Sequence, residues 1–419
     1  MANLTLRCTC GKTMSVPDQH RGVKIKCRQC GVVMRVPLET RPAPAPTTQG
    51  VWTLHNVGLL FKGIGRSIAR VHWRYLLAPS RAILVARLAW LYFIAVCVVC
   101  AVMWTYGDTW WVGTVLLFIG RWIFLVPGGI LAVAALFLHR KSLIPLLGAA
   151  LITVGPIMGF RAGWQRMLSH PAGMHVRIVT LNIEGGDRNW VLLSEYLERW
   201  KPDVLALQEC GEALRSELKE LKGWYTHSAN DQCLVSHFPI TDSSVMNRRT
   251  LERIHGDTEE GIGGAGYVVR YTLQTPRGPI NLTNLHLETP RKGLEDLLGG
   301  WLQSERLQQN TELRAIEAQL ARQWVNVGKA PTLVVGDFNT PVESQIFRTA
   351  WGDMTDAFSR VGYGLGMTKR NGWIRARIDH VLSGPGWYAD RVTLGDDVGS
   401  DHLPLIVDLT LAPERPASP

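Results

Sequence analysis

APTLVVGDFNT, residues 330–340, reads as a short buried strand that ends in polar chemistry. Leu333, Val334 and Val335, with Thr332 ahead of them, form a β-type apolar run. The run stops at Gly336, and Asp337 and Asn339 follow around Phe338. Two polar residues two apart project to the same side of an extended segment. A glycine at a strand end frees the backbone to expose them. Strand-Gly-Asp is also an ordinary turn into a loop, so the neighbouring segments must decide between the two.

From His175 onward strands alternate with helices. The pattern predicts strands at 176–181, 204–207, 233–236, 265–273, 280–287, 377–382 and 403–409, with helices at 190–200 and 305–325. Polar residues recur where the runs end: Asn182, Glu209, His286, Asp337 with Asn339, Asp379 with His380, and Asp401 with His402. Such repetition implies strand ends gathered at one edge of a layered α/β core.

TLNIEG (180–185), LQE (207–209), NLHLE (284–288), GDFN (336–339), RIDHV (377–381) and GSDHLP (399–404) resemble, in order, the motifs of the endonuclease/exonuclease/phosphatase superfamily. That superfamily includes DNase I-like nucleases, neutral sphingomyelinases and inositol-phosphate phosphatases. The resemblance covers about residues 175–410. It implies a four-layered α/β sandwich and hydrolysis of phosphoester bonds with Mg²⁺, or Mn²⁺ in its place. It also implies that Asp337 accepts the proton of the attacking water and that Asn339 positions the water or the phosphate. His402 is expected on a phosphoryl oxygen, its tautomer held by Asp379, and His286 at the leaving oxygen. Glu209 is the expected metal ligand, with Asn182 and Glu184 supporting it and Asp401 approaching the ion. His380 points away from Asp379 if the segment is extended, and is expected to pack rather than react.

The chemistry agrees with the residue types. A phosphodiester is anionic and slow to hydrolyse, so its site needs a cation and a positioned water. Mg²⁺ takes hard oxygen ligands, commonly one or two carboxylates. Gly261-Ile-Gly-Gly-Ala-Gly266 matches a dinucleotide-binding spacing, but a strand pattern follows it where that motif needs a helix.

The charge is unevenly placed. Residues 1–168 hold 19 Lys and Arg against 3 Asp and Glu, and residues 169–419 hold 26 against 32, so the net +10 belongs to the N-terminal part. A mildly acidic hydrolase domain argues against gripping a long duplex by charge alone.

Residues 1–40 carry Cys8, Cys10, Cys27 and Cys30 as C-x-C and C-x-x-C, each pair followed by glycine. Glycine after the second cysteine lets the backbone wrap a sulfur, so the module resembles a zinc ribbon folded by four thiolates on structural Zn²⁺. Two disulfides in a small secreted domain are the competing reading. His20 reads as a loop residue, and the ribbon's partner is unknown.

Residues 41–81 begin as a Pro/Ala spacer, RPAPAPTT, and continue with Lys62, Arg66, Arg70 and Arg74 at helical steps. This predicts a basic amphipathic helix on an anionic membrane surface, with packing on the ribbon as the alternative. Residues 82–160 then supply three apolar segments, 82–104, 122–138 and 143–160, each near the length that crosses about 30 Å of hydrocarbon. The Trp-rich connection 105–121 suits an interfacial or re-entrant piece, which keeps Arg121 out of the second span.

Basic residues precede the first span, and His139, Arg140 and Lys141 join the second and third. The positive-inside rule then places the N-terminus in the cytoplasm and the hydrolase domain, 169–414, outside. Zinc thiolates would keep to the reducing side, and Cys210 and Cys233 would face an oxidising space and form a disulfide. Cys97 and Cys100 read as apolar helix residues. The expected activity is phosphodiester hydrolysis, with lipid headgroups the nearest substrate. An extracytoplasmic nuclease and a catalytically residual tethered binding protein are the alternatives.

Overall fold

The structure is a computed structural model of the 419-residue chain. The residues it describes are 3–7, 10–20, 23–36, 79–168, 172–184, 190–247, 266–299, 304–325, 330–371 and 374–413. The spacer, the basic segment 51–78, Cys8 and residues 261–265 lie outside them. Two compact units form, Met1–Trp73 and Arg74–Pro419.

In the first unit β1 (Asn3–Arg7) pairs antiparallel with β2 (Thr13–Pro17), and β3 (Lys24–Lys26) with β4 (Val33–Arg35). Among the described residues of this unit, Val16, Cys27 and Val36 are the buried apolar side chains, a small core for so short a segment. The sulfurs of Cys10, Cys27 and Cys30 instead gather within 4.8 Å of one another. Cys10 Sγ and Cys27 Sγ stand 3.8 Å apart. That is about the ~3.8 Å edge of a tetrahedron with 2.3 Å metal–sulfur bonds. Gly11 and Gly31 follow the knuckles with φ of 87° and 77°.

The second unit begins with α1 (Pro79–Thr105), α2 (Trp111–Phe118), α3 (Leu125–Leu138) and α4 (Leu143–Ile152). Among the described residues, three runs are long and apolar enough to cross a membrane: Ser80–Thr105, Arg121–Leu138 and Arg140–Ile157. The first two match the expected spans to within two residues. The third starts and stops three residues early; it takes in the π-turn over Thr153–Ile157, which holds Pro156, and Gly159 turns the chain just beyond it at φ 77°. The Trp-rich connection is a separate helix, α2, broken from the second span at Gly120.

The rest is a four-layered α/β sandwich. One six-stranded sheet has the order β15-β16-β5-β6-β8-β7. Its strands are β5 (Met174–Asn182), β6 (Val204–Gln208), β7 (Tyr225–Ala229), β8 (Gln232–Ser236), β15 (Trp387–Leu394) and β16 (Leu405–Leu411). The other has the order β9-β10-β11-β12-β14-β13. It comprises β9 (Ile240–Val245), β10 (Tyr267–Thr275), β11 (Gly278–His286), β12 (Thr332–Asp337), β13 (Thr355–Asp356) and β14 (Asp379–Ser383).

Between the sheets lie Val176, Ile178, Ala206 and Leu234 against Tyr271, Leu282, Val335 and Val381. Outside the first sheet, Leu181 and Leu205 pack on Leu193, Leu197 and Trp200 of α5 (Trp190–Trp200) and on Leu214 and Leu218 of α6 (Glu212–Lys219). Outside the second, Val334 and Leu382 pack on α8 (Ser304–Val325), after α7 (Arg291–Gly299), and on α9 (Gln345–Trp351). Central strands such as VLALQ and DHVLS are buried at every position, as strands covered on both faces must be.

Candidate active site

Two parallel pairings bring the strand ends together. In β5 and β6, Asn182 stands opposite Gln208, so Glu209 emerges beside Asn182. In β11, β12 and β14, His286, Asp337 and Asp379 lie abreast. Gly336 is required for this register: a Cβ there would meet Leu285 O at 1.9 Å. Phe338 turns away into the outer layer, its ring 5.2 Å from that of Trp351. The loop therefore has an apolar anchor between its two polar residues.

Asn182 joins the two sheets, since its Nδ2 donates to Glu209 Oε1 at 2.9 Å and to Asp337 Oδ2 at 3.1 Å. The second oxygen of Asp337 accepts from the Asn339 amide at 2.9 Å. Asn339 Nδ2 donates to Leu287 O at 2.7 Å, and Arg314 Nη2 holds Asn339 O at 2.9 Å. His402 Nδ1 is 2.8 Å from Asp379 Oδ2, and its Nε2 is 3.6 Å from Asp337 Oδ2. His286 Nε2 lies 3.7 Å from Glu209 Oε1 and 4.0 Å from Asp337 Oδ2.

Glu184 and Asp401 sit at the rim. Glu184 Oε2 accepts from the Asp401 amide at 3.2 Å, and the Asp401 carboxylate pairs with Lys369. His380 faces the other way, bonded to Thr340 O and Asp356. Five described non-glycine residues have positive φ, and three of them are Glu184 (56°), Glu209 (53°) and Asn339 (50°). Such backbone strain costs energy and persists where the surroundings over-determine it.

The electrostatics separate the groups. Burial, and then the charge of Asp379, push the Asp337 carboxyl up. Burial would also raise Asp379, but His402 beside it holds it down. His402 is shifted up because Asp379 and Asp337 outweigh its burial. His286 likewise overcomes burial through Asp231, Asp337 and Glu209 and is pushed up to about 9.

Asp231 was not found from the sequence. It ends no strand, yet its carboxylate lies 3.2 Å from His286 Nδ1 and its carbonyl accepts from the Cys210 amide. Lys369, Arg314 and Thr368, whose hydroxyl accepts from the Asp379 amide, are further partners outside every motif. Cys210, next to Glu209, is disulfide-bonded to Cys233 on β8.

The donor set fits a hard divalent cation. Glu209, Asp337, Asp379 and Asp401 offer only oxygen, and Asp379 Oδ1 and Asp401 Oδ1 are buried without a hydrogen-bond partner. Asp337, Asp379 and His402 also form a tight group. Within it only His402 Nδ1 and Asp379 Oδ2 are hydrogen-bonded, and His402 Nε2 stands 3.6 Å from Asp337 Oδ2.

A family model described as Endonuclease/Exonuclease/phosphatase family matches residues 179–402. The chain belongs to this family. No curated protein matches it. Solved structures similar to it include a humanized D. rerio TDP2, 16% identical over 56% of this chain and 99% of that one, with a TM-score of 0.43. Bacteroides thetaiotaomicron mannosyl-6-phosphatase is 16% identical over 56% and 99%, with a TM-score of 0.41. The human Nocturnin catalytic domain is 17% identical over 60% and 100%, with a TM-score of 0.42. Members of the endonuclease/exonuclease/phosphatase family are metal-dependent phosphoester hydrolases, which supports a phosphoesterase or nuclease type of function for this chain.

Proposed function

We propose that the protein hydrolyses phosphodiester bonds at the outer face of a membrane, with lipid headgroups as its substrate. The observation that carries this reading is the meeting of Asn182, Glu209, His286, Asp337, Asp379 and His402 at one edge of a domain packed on three membrane-length helices. The domain limits proposed are 1–40 for the ribbon, 41–81 for the linker and basic segment, 82–160 for the membrane region and 169–414 for the hydrolase.

When bound, Mg²⁺ or Mn²⁺ would be held by Glu209, with Glu184 and Asp401 near it, and would supply positive charge against the phosphoryl oxygens. Asp337 is the base for the attacking water, because burial beside Asp379 makes its carboxylate seek a proton. Asn182 and the Asn339 amide fix both of its oxygens. His402, oriented through Nδ1 by Asp379, presents Nε2 to a phosphoryl oxygen. Asp231, Asp337 and Glu209 around His286 favour its charged form, which would donate a proton to the leaving oxygen. Structural Zn²⁺ belongs to Cys8, Cys10, Cys27 and Cys30, on the cytoplasmic side.

The test is the full chain in lipid nanodiscs, assayed with Mg²⁺ against phospholipids, linear and cyclic nucleic acids and sugar phosphates, each with an EDTA control. EDTA-sensitive release of a phospholipid headgroup is expected. Cleavage of nucleic acid alone would replace the lipid reading with a nuclease, and turnover of nothing would leave a tethered binding protein.

A further inference from the structure

The hydrolase domain is not merely strung behind the apolar helices. Asp108, in the turn between α1 and α2, is fully buried. Its Oδ1 accepts from the amides of Gln345 at 2.9 Å and Ile346 at 3.2 Å, and its Oδ2 from the Ser344 hydroxyl at 2.6 Å. A residue of the first helical connection thus caps α9 of the hydrolase domain, taking up amides that a helix start leaves open.

Arg121, at the start of the second apolar run, is also buried. It donates to Leu117 O at 2.7 Å, Ile157 O at 2.8 Å and Glu343 Oε2 at 3.0 Å. Burial would push the Glu343 carboxyl up, but Arg121 and Arg377 on either side hold it low. Below the pair, Met103, Leu117, Phe118 and Ile157 from the helices share one apolar cluster with Ala376 and Ile378 of the domain.

These contacts converge on the site from two directions. Residues 343–346 continue directly from Asn339, whose carbonyl is held by Arg314, and the Arg314 guanidinium lies 5.8 Å from the Phe118 ring. Ile378 precedes Asp379 and accepts, through its carbonyl, from the Phe338 amide at 2.9 Å. The helices therefore bear on both the Asp337–Asn339 turn and the strand that carries Asp379.

The geometry points to Asp108 and Arg121 as positioning residues of the hydrolase site. They hold residues 339–346 and the entry to β14 in register, so the site is complete only while the domain is seated on its own membrane helices. This rests on the phosphoesterase reading for the role of Asn339, and on the contacts alone for the seating.

Two readouts on the full chain in nanodiscs test it. The first is hydrolysis of bis(p-nitrophenyl) phosphate with Mg²⁺, and the second is backbone hydrogen exchange. Asp108→Ala and Arg121→Ala should each lower kcat by about tenfold or more with KM nearly unchanged, as loss of alignment rather than of substrate binding requires. Exchange across residues 338–346 should quicken about tenfold while β6 and β8 stay protected. Asp108→Asn keeps an acceptor for both amides and should recover most of each effect. Unchanged exchange at 338–340 in both alanine variants would overturn the inference, as would a rise in KM with kcat intact. If the unsubstituted protein hydrolyses no phosphodiester, the phosphoesterase reading fails and hydrogen exchange alone decides the seating.

Discussion

His402 Nδ1 and Asp379 Oδ2 meet at 2.8 Å, both buried, at the junction of the two sheets. Asp379 leads β14 in one sheet and His402 precedes β16 in the other, so the bond is a clasp as well as an orienting contact. We predict that Asp379→Asn leaves the fold intact but lowers kcat on the order of 10³-fold, because the amide no longer selects the working tautomer. Steady-state rates beside circular dichroism check this. A rate within a few-fold of the unsubstituted protein would remove His402 from the mechanism.

Glu209 and Asp337 should separate under metal titration. Glu209→Gln is expected to raise the Mg²⁺ concentration for half-maximal rate by about 10- to 100-fold. Asp337→Asn should lower the plateau rate and leave the half-saturation point nearly where it was. If the two variants titrate alike, the division into ligand and base is wrong.

Asp356 offers a pH test away from the chemistry. Burial would raise its carboxyl, yet the hydrogen bond and charge of His380, then Arg377 and Ser359, hold it well below the usual carboxylate range. Its stabilisation is complete above the ordinary carboxylate pKa and is lost as pH falls toward the depressed folded value. Asp356→Asn keeps an acceptor for the Ser359 amide but loses the charge. It should cost about 2 kcal/mol at pH 7 and flatten the acid limb of stability. Thermal unfolding at a series of pH values measures both, and an unaltered acid limb would contradict the pairing.

The Cys210–Cys233 bond spans 23 positions. Closing such a loop in the unfolded chain is worth about 3 kcal/mol, so reduction should lower the unfolding temperature markedly. Native alkylation should leave both residues unlabelled until a reductant is added. Labelling of either thiol without reduction would mean the bond is absent from the protein.

Much of the candidate site was legible because its residues lie at the ends of β-type runs, Asp379 and His402 where a run begins and the others where one closes, and a strand end is visible in a single sequence. Asn182, Glu209, His286, Asp337, Asp379 and His402 were all found that way. The layered core followed from the same alternation. The edge strands β7 and β9 were missed, since they are half-exposed and polar and lack an apolar run. Asp231 and Lys369 were hidden for a different reason: they act through space and terminate nothing periodic. Asp108 lies in the connection after the first apolar segment, where nothing local marks it, because only the folded domain supplies the amides it caps.

The two anchoring contacts also set an order of assembly. Asp108 and Arg121 precede Ser344 and Glu343 by 236 and 222 positions, with two apolar runs made in between. During synthesis the receiving surface is therefore finished long before the segment that docks on it leaves the ribosome. On the proposed seating, the hydrolase half would mature against a surface its own chain has already laid down.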